Sequence, residues 1–192
     1  VLSAGEIARG TQGALGFLQR DPAAPSYFDN TVEACLRSFQ VMVLVAPLHA
    51  TLMLIRYSQV TAVADEFEIV VVEALRYVVD WLLFPVLFYE IARRRNWLDR
   101  FPSYIAALNW LNFPAMIVAV IGVVLATLLP NALGDLIRLG LQGLFFYWFL
   151  VTTRAVLSVG WGLAALLLVV NWAPSLLLSL IVDRFLGIVV GT

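Results

Sequence analysis

The sequence predicts an all-α membrane protein: a polytopic transmembrane helical bundle of about five spans with kinked or broken helices, preceded by an interfacial amphipathic helix. Three observations carry this. Of 192 residues, 62% are hydrophobic and only 13% charged, whereas an ordinary soluble domain carries about 45–50% apolar and 25% charged residues. Mean hydropathy is +0.92, and a chain of this size has too much surface for such a composition to face water. The apolar residues also fall into long blocks, with arginines and short turn segments marking where most of them stop.

Residues 1–36 read as an amino-terminal segment of their own. Leu2, Ile7, Ala8, Leu15, Phe17 and Leu18 alternate with Glu6, Arg9, Gln12 and Arg20 at helical spacing, the pattern of a helix lying on a membrane surface. Asp21-Pro22 breaks it and Ala23 to Ser26 form a turn. Asn30 or Thr31 then caps a new helix, with Glu33 near the positive end of its dipole. The chain begins at Val1 rather than Met, compatible with a portion of something longer. The first long apolar block follows a polar, partly acidic stretch, which is not the arrangement of a cleaved secretion signal.

Residues 37–192 read as the membrane domain. The first span, 38–55, lies between Arg37 and Arg56, and at 1.5 Å per residue it covers about 27 Å, close to the thickness of a hydrocarbon core. Pro47 is expected to kink it. The second span, 67–92, is longer than a bilayer requires and closes on Arg93-Arg94-Arg95, so it tilts or projects. The third, 102–129, carries Asn109, Asn112 and Pro114, where a kink or break is expected. Pro130 to Asp135 form a turn. The fourth span, 136–153, ends at Arg154, and the fifth, 155–182, carries Asn171 and Pro174 and stops at Asp183-Arg184. Five crossings with the amino terminus inside gather Arg9, Arg20, Arg37, Arg93, Arg94, Arg95, Arg100 and Arg154 on one side and leave Arg56, Arg138 and Arg184 on the other. The positive-inside rule then gives a cytoplasmic amino terminus and an external carboxyl terminus.

Glu73, Arg76 and Asp80 stand three and four residues apart, on one face of the second span. Charges inside a span cost about 2.5–3.5 kcal/mol each on insertion scales, so they face protein or water. They read either as a polar conduit or as an internal salt bridge that fixes packing. Asn109 and Asn112 with Pro114, and Asn171 with Pro174, resemble the interrupted helices of transporter binding sites; interhelical hydrogen bonding is the stronger reading, since it explains both sets without a substrate. His49, the only histidine, rules out bis-histidine haem within the chain, and metal clusters need more donors. The single Cys35 excludes an internal disulfide and a Cys-x-x-Cys pair. All twelve basic residues are arginine, but they are scattered except in one run, which argues against a nucleic-acid footprint. No nucleophile with a partnered base, phosphate loop or zinc signature is present, so no enzyme activity and no cofactor beyond bound lipid are expected.

Tyr27-Phe28-Asp29-Asn30-Thr31-Val32-Glu33-Ala34-Cys35-Leu36-Arg37-Ser38-Phe39, leading into a span, and Phe101-Pro102-Ser103-Tyr104-Ile105 with Asn109-Trp110 after a basic loop, resemble multi-span proteins of alphaproteobacteria that have no assigned activity. In topology the chain is also distantly similar to the Yip family of Rab-associated membrane proteins. The first resemblance implies a bacterial inner membrane and a single helical domain, in which the external carboxyl terminus given by arginine placement is periplasmic; it implies no catalytic residue. The leading expectation is a non-enzymatic scaffold or accessory subunit, with lipid and a membrane-protein partner or further copies of itself as neighbours. The competing expectation is a small oligomeric transporter or channel with a polar path through Glu73, Arg76 and Asp80. A transporter needs a polar cavity at mid-membrane, whereas a scaffold needs those groups mutually satisfied and dry.

Overall fold

A computed structural model describes residues 2–188, and among them the chain is helical apart from short connections, with no strand. α1 (Ala4–Leu18) starts at a capping box. The Ser3 hydroxyl accepts from the Glu6 N–H, and the Glu6 carboxylate accepts from the Ser3 N–H, so two free amides of the first turn are satisfied reciprocally. Arg20 ends this helix in the left-handed region at φ 58°, its N–H donating to the Phe17 carbonyl and that of Asp21 to Gly16. A 3-10 turn at Ala24–Tyr27 folds back onto α1. α2 (Val32–Ser38) starts at Thr31, whose hydroxyl accepts from Ala34 N–H. A turn at Phe39 and Gln40 leads into α3 (Val41–Tyr57).

α4 (Glu66–Arg95) is the longest helix, about 45 Å at 1.5 Å per residue. α5 (Phe101–Leu128), α6 (Asn131–Leu157) and α7 (Trp161–Phe185) follow. By length and composition four stretches are able to cross a membrane: Val32–Tyr57, Phe101–Leu128, Asn131–Leu157 and Trp161–Phe185. α4 falls outside that set because its apolar face is interrupted by charge. Each of Pro47, Pro85, Pro114 and Pro174 sits inside a helix that continues past it. The break considered near Asn109 to Pro114 is therefore absent, and α5 runs as one helix. The boundary between the last two helices also lies later than arginine placement indicates. α6 keeps Arg154 within its last turn and stops where Ser158 turns left-handed at φ 54°.

α5 is the centre of the assembly, packing against α6, α3, α1 and α2, while α7 packs against α4 and α6. α3 and α4, though consecutive, do not pack along their lengths. α1 lays its apolar face on protein: Gly10, Ala14 and Phe17 are buried against α5 and α6, and the Trp148 indole N–H donates to the Ala14 carbonyl at 2.9 Å. Gly10 permits this, since a Cβ there would lie 2.2 Å from the Trp110 ring. Gly134 does the same for the α5–α6 hairpin, where a Cβ would meet the Ala126 carbonyl oxygen at 2.6 Å. Gly140, Gly143, Gly160 and Gly162, the small residues that stand out in the sequence, face open space.

The buried aromatics gather at one end of the bundle. One cluster joins Phe17, Phe28, Trp110 and Trp148; the other joins Phe84, Phe88, Tyr104 and Phe149. Towards the other end Leu125, Leu128, Leu139, Leu177 and Leu180 stand exposed, a surface suited to hydrocarbon. There the loop between α3 and α4 is tied to the end of α7, the Leu186 carbonyl accepting from the N–H groups of both Val63 and Ala64. Gly187, left-handed at φ 62°, lets the chain close over Val63.

Candidate functional site

The face of α4 that carries Glu73, Arg76 and Asp80 turns inward, and Glu73 is only 5% exposed. Arg76 Nε donates to Glu73 Oε2 at 2.6 Å, one turn along the same helix. Its Nη1 lies 3.5 Å from Asp80 Oδ2, and Nη2 reaches Met53 Sδ of α3 at 3.7 Å. From the end of α3, the Tyr57 hydroxyl donates to Glu73 Oε1 at 2.7 Å and Arg56 Nη1 approaches the same oxygen at 3.5 Å. Arg56 Nη2 donates to Asp183 Oδ1 of α7 at 2.6 Å. Two guanidiniums and three carboxylates thus form one chain linking three helices. At 1.5 Å per residue the three charged side chains of α4 descend about 10 Å from Glu73 to Asp80.

Sequence reasoning finds the three α4 residues because they interrupt an apolar block. It misses Arg56 and Asp183, which read as markers of helix ends, and Tyr57, which draws no notice. The available signal is that Arg56 and Asp183 carry opposite charge and, by alternation of antiparallel spans, fall at the same end of the bundle as Glu73.

Asp80 belongs to a second arrangement as well. A cavity of about 300 Å³ lies among α4, α5, α6 and α7, and Asp80, Asn109, Asn112, Gln142 and Asn171 line it together with aromatic side chains such as Trp81, Phe145 and Trp172. Asp80, Asn112, Gln142 and Asn171 come from four different helices, and each stands within one turn of its helix midpoint. Asp80 Oδ1 is buried without a hydrogen-bond partner. Asn109, higher on α5, has its Nδ2 donating to Ser38 Oγ at 2.9 Å and is only 4% exposed, so it also fastens α5 to the end of α2. The structure therefore brings Asp80, Asn109, Asn112 and Asn171 to one cavity and leaves Glu73 and Arg76 in the adjoining ion chain. Gln142 is the lining residue that the sequence does not announce, being one polar position in a mixed stretch of α6.

A wider groove of about 840 Å³ opens between α3 and α4, lined by His49, Met53, Tyr57, Glu73 and Tyr77 among apolar neighbours. The His49 ring lies 4.6 Å from that of Tyr77, and its Nε2 is buried without a partner. Among the described residues no group of three or more His, Cys, Asp or Glu side chains is placed to hold a metal ion. Cys35 is buried and unpaired. Compared with known proteins, the chain matches no family model, no curated protein and no solved structure.

Proposed function

We propose that the protein is a small multi-span transporter or channel of a bacterial inner membrane, with its solute site in the cavity at Asp80. α4 is read as a fifth crossing, since its length exceeds that of a bilayer and its charged face is turned to protein. Arginine placement supports a cytoplasmic amino terminus, and the resemblance to alphaproteobacterial membrane proteins supports a bacterial inner membrane. The single observation that carries the reading is the convergence of Asp80, Asn112, Gln142 and Asn171, one from each of four helices, on one cavity at helix mid-height. Polar groups at that depth are costly unless paired, and their grouping around a space marks a solute position. A carboxylate among amides, walled by aromatic faces, suits a small cation able to donate hydrogen bonds. The chain from Asp80 through Arg76 and Glu73 to Arg56 and Asp183 supplies polar groups from that space to the opposite rim.

The scaffold reading keeps one specific observation in its favour. Glu73 receives hydrogen bonds from Tyr57 and Arg76, and Asp183 from Arg56, so that part of the network is internally satisfied and serves packing. Flux into liposomes separates the two. Protein reconstituted with a trapped pH dye, or supplied with labelled methylammonium, is expected to carry protons or methylammonium faster than protein-free vesicles. Asp80→Asn is expected to lower that flux about tenfold, and Glu73→Gln by less. Equal leak in native protein, both variants and empty vesicles would remove the transport reading in favour of the scaffold.

A further inference from the structure

Where α1 ends against α6, Arg20 and Arg154 line one cavity of about 340 Å³ with Phe17, Pro22, Val151 and Trp161. Most arginines of the chain have a carboxylate close by, as Arg9 has Asp29, Arg37 has Glu6 and Arg138 has Asp135. Among the described residues, no carboxylate oxygen lies within 4.0 Å of Arg20 or Arg154. Arg20 Nε donates to the Tyr147 hydroxyl at 2.8 Å, leaving its terminal nitrogens available. The Arg154 guanidinium stacks 4.0 Å over the Trp161 ring, and its Nε is buried without a hydrogen-bond partner. Asp21 also borders the space, with its Oδ1 engaged by the Ala23 N–H at 2.8 Å.

The backbone adds an independent observation. Arg20 occupies the left-handed position that closes α1, at φ 58°, where glycine is the unstrained choice. Asn96 and Ser158 close α4 and α6 in the same conformation. After this turn the Arg20 side chain lines the same space as that of Arg154.

We propose that this cavity binds the phosphate of an anionic phospholipid. Two guanidiniums with no carboxylate oxygen within 4.0 Å match phosphate oxygens by charge and by fork geometry, with Asp21 at the border of the space. The site lies at the end of the bundle that carries Arg93, Arg94 and Arg95, the side facing the anionic leaflet when the basic end is cytoplasmic. Trp161 is 46% exposed beside it, as an interfacial tryptophan is. Beyond it along α7, Leu166 and Val169 are exposed within reach of acyl chains. The proposal depends on membrane insertion and not on whether the mid-membrane cavity transports, so the flux experiment and the one below fail separately.

The test uses the whole chain in mild detergent, with dioctanoyl-phosphatidylglycerol, dioctanoyl-phosphatidylcholine and inorganic phosphate as probes, read by thermal shift and by lipid retention in native mass spectrometry. The phosphatidylglycerol probe is expected to bind at least about tenfold more tightly than the zwitterionic one. The double variant R20Q/R154Q is expected to lose that preference, and R93Q/R94Q/R95Q to keep it. Equal affinity for the two lipids, or loss of preference in the triple variant alone, overturns the site. A shift by inorganic phosphate as large as that by phosphatidylglycerol overturns the lipid assignment. If the double variant does not fold, R154Q alone and the contrast between the two lipids on native protein decide the matter.

Discussion

The two ends of this bundle are held together by different physics. At the end where α5 begins and α6 closes, the contacts are large buried rings, Phe17, Phe88, Tyr104 and Trp148 among them, each no more than 1% exposed. At the other end α3 stands away from α4 across an open groove, and the joints are Arg56, Tyr57, Glu73, Arg76 and Asp183. Dispersion among close-packed rings works in any surroundings and tolerates small displacements poorly. Ion pairs in a low-dielectric setting act over longer reach and leave space between backbones, at the risk that losing one partner strands the other. The bundle is therefore rigid where aromatics interlock and divisible where charges bridge.

The sharpest way to break this contrast is Glu73→Ala. It leaves Arg56 and Arg76 facing one another without the carboxylate they share, and destabilisation of about 3–5 kcal/mol is expected. The measurement is the midpoint of thermal unfolding in detergent. A loss no larger than that of an exposed pair such as Arg138–Asp135 would mean that this end does not depend on its charges. At the packed end, Gly10→Ala places a methyl group into the Trp110 ring and is expected to cost about 1–3 kcal/mol, as overpacking does. Tryptophan fluorescence and the same midpoint report it; an unchanged midpoint would show that α1 rides loosely on α5.

The smallest effect concerns the start of α1. The Glu6 carboxyl is held down to about 2 against an ordinary 4.5, first by the Ser3 N–H, then by the Ser3 hydroxyl and by Arg37. A lowered folded-state value means the contribution is complete above pH about 4.5 and is lost as pH falls towards 2. Hydrogen exchange of the first turn, corrected for its intrinsic pH dependence, is expected to be slower in native protein than in Glu6→Gln at pH 5 and to converge with it near pH 2. A constant difference across that range would sever the cap from this titration.

Much of the architecture is legible from apolar block length alone, because a hydrocarbon layer imposes one dimension on every crossing. Helix ends are less so. Arg154 looks like a terminus, yet its guanidinium finds the Trp161 ring and the helix continues around it. The face of α1 is a second instance. Its amphipathic spacing reads as an apolar stripe for the membrane surface, whereas Gly10 against Trp110, a hundred residues apart, packs that stripe on α5. For the site, Glu73, Arg76 and Asp80 stand out against an apolar background, and Asn112 and Asn171 do so for the same reason. Arg56, Asp183 and Gln142 stay hidden because a polar residue near a span's end, or inside an already mixed segment, breaks no pattern. Only antiparallel packing brings them to the others.

The loop after α3 is stapled to the last turn of α7 through the Leu186 carbonyl, and this makes the far end of the chain a lever on a gap formed by two other helices. Were the space beside His49 to widen, the two bonds from Val63 and Ala64 would carry the strain to the backbone at Leu186. A spin label at Ile188 would thus sense the aperture at second hand, its mobility changing with the gap between α3 and α4 without a probe on either one.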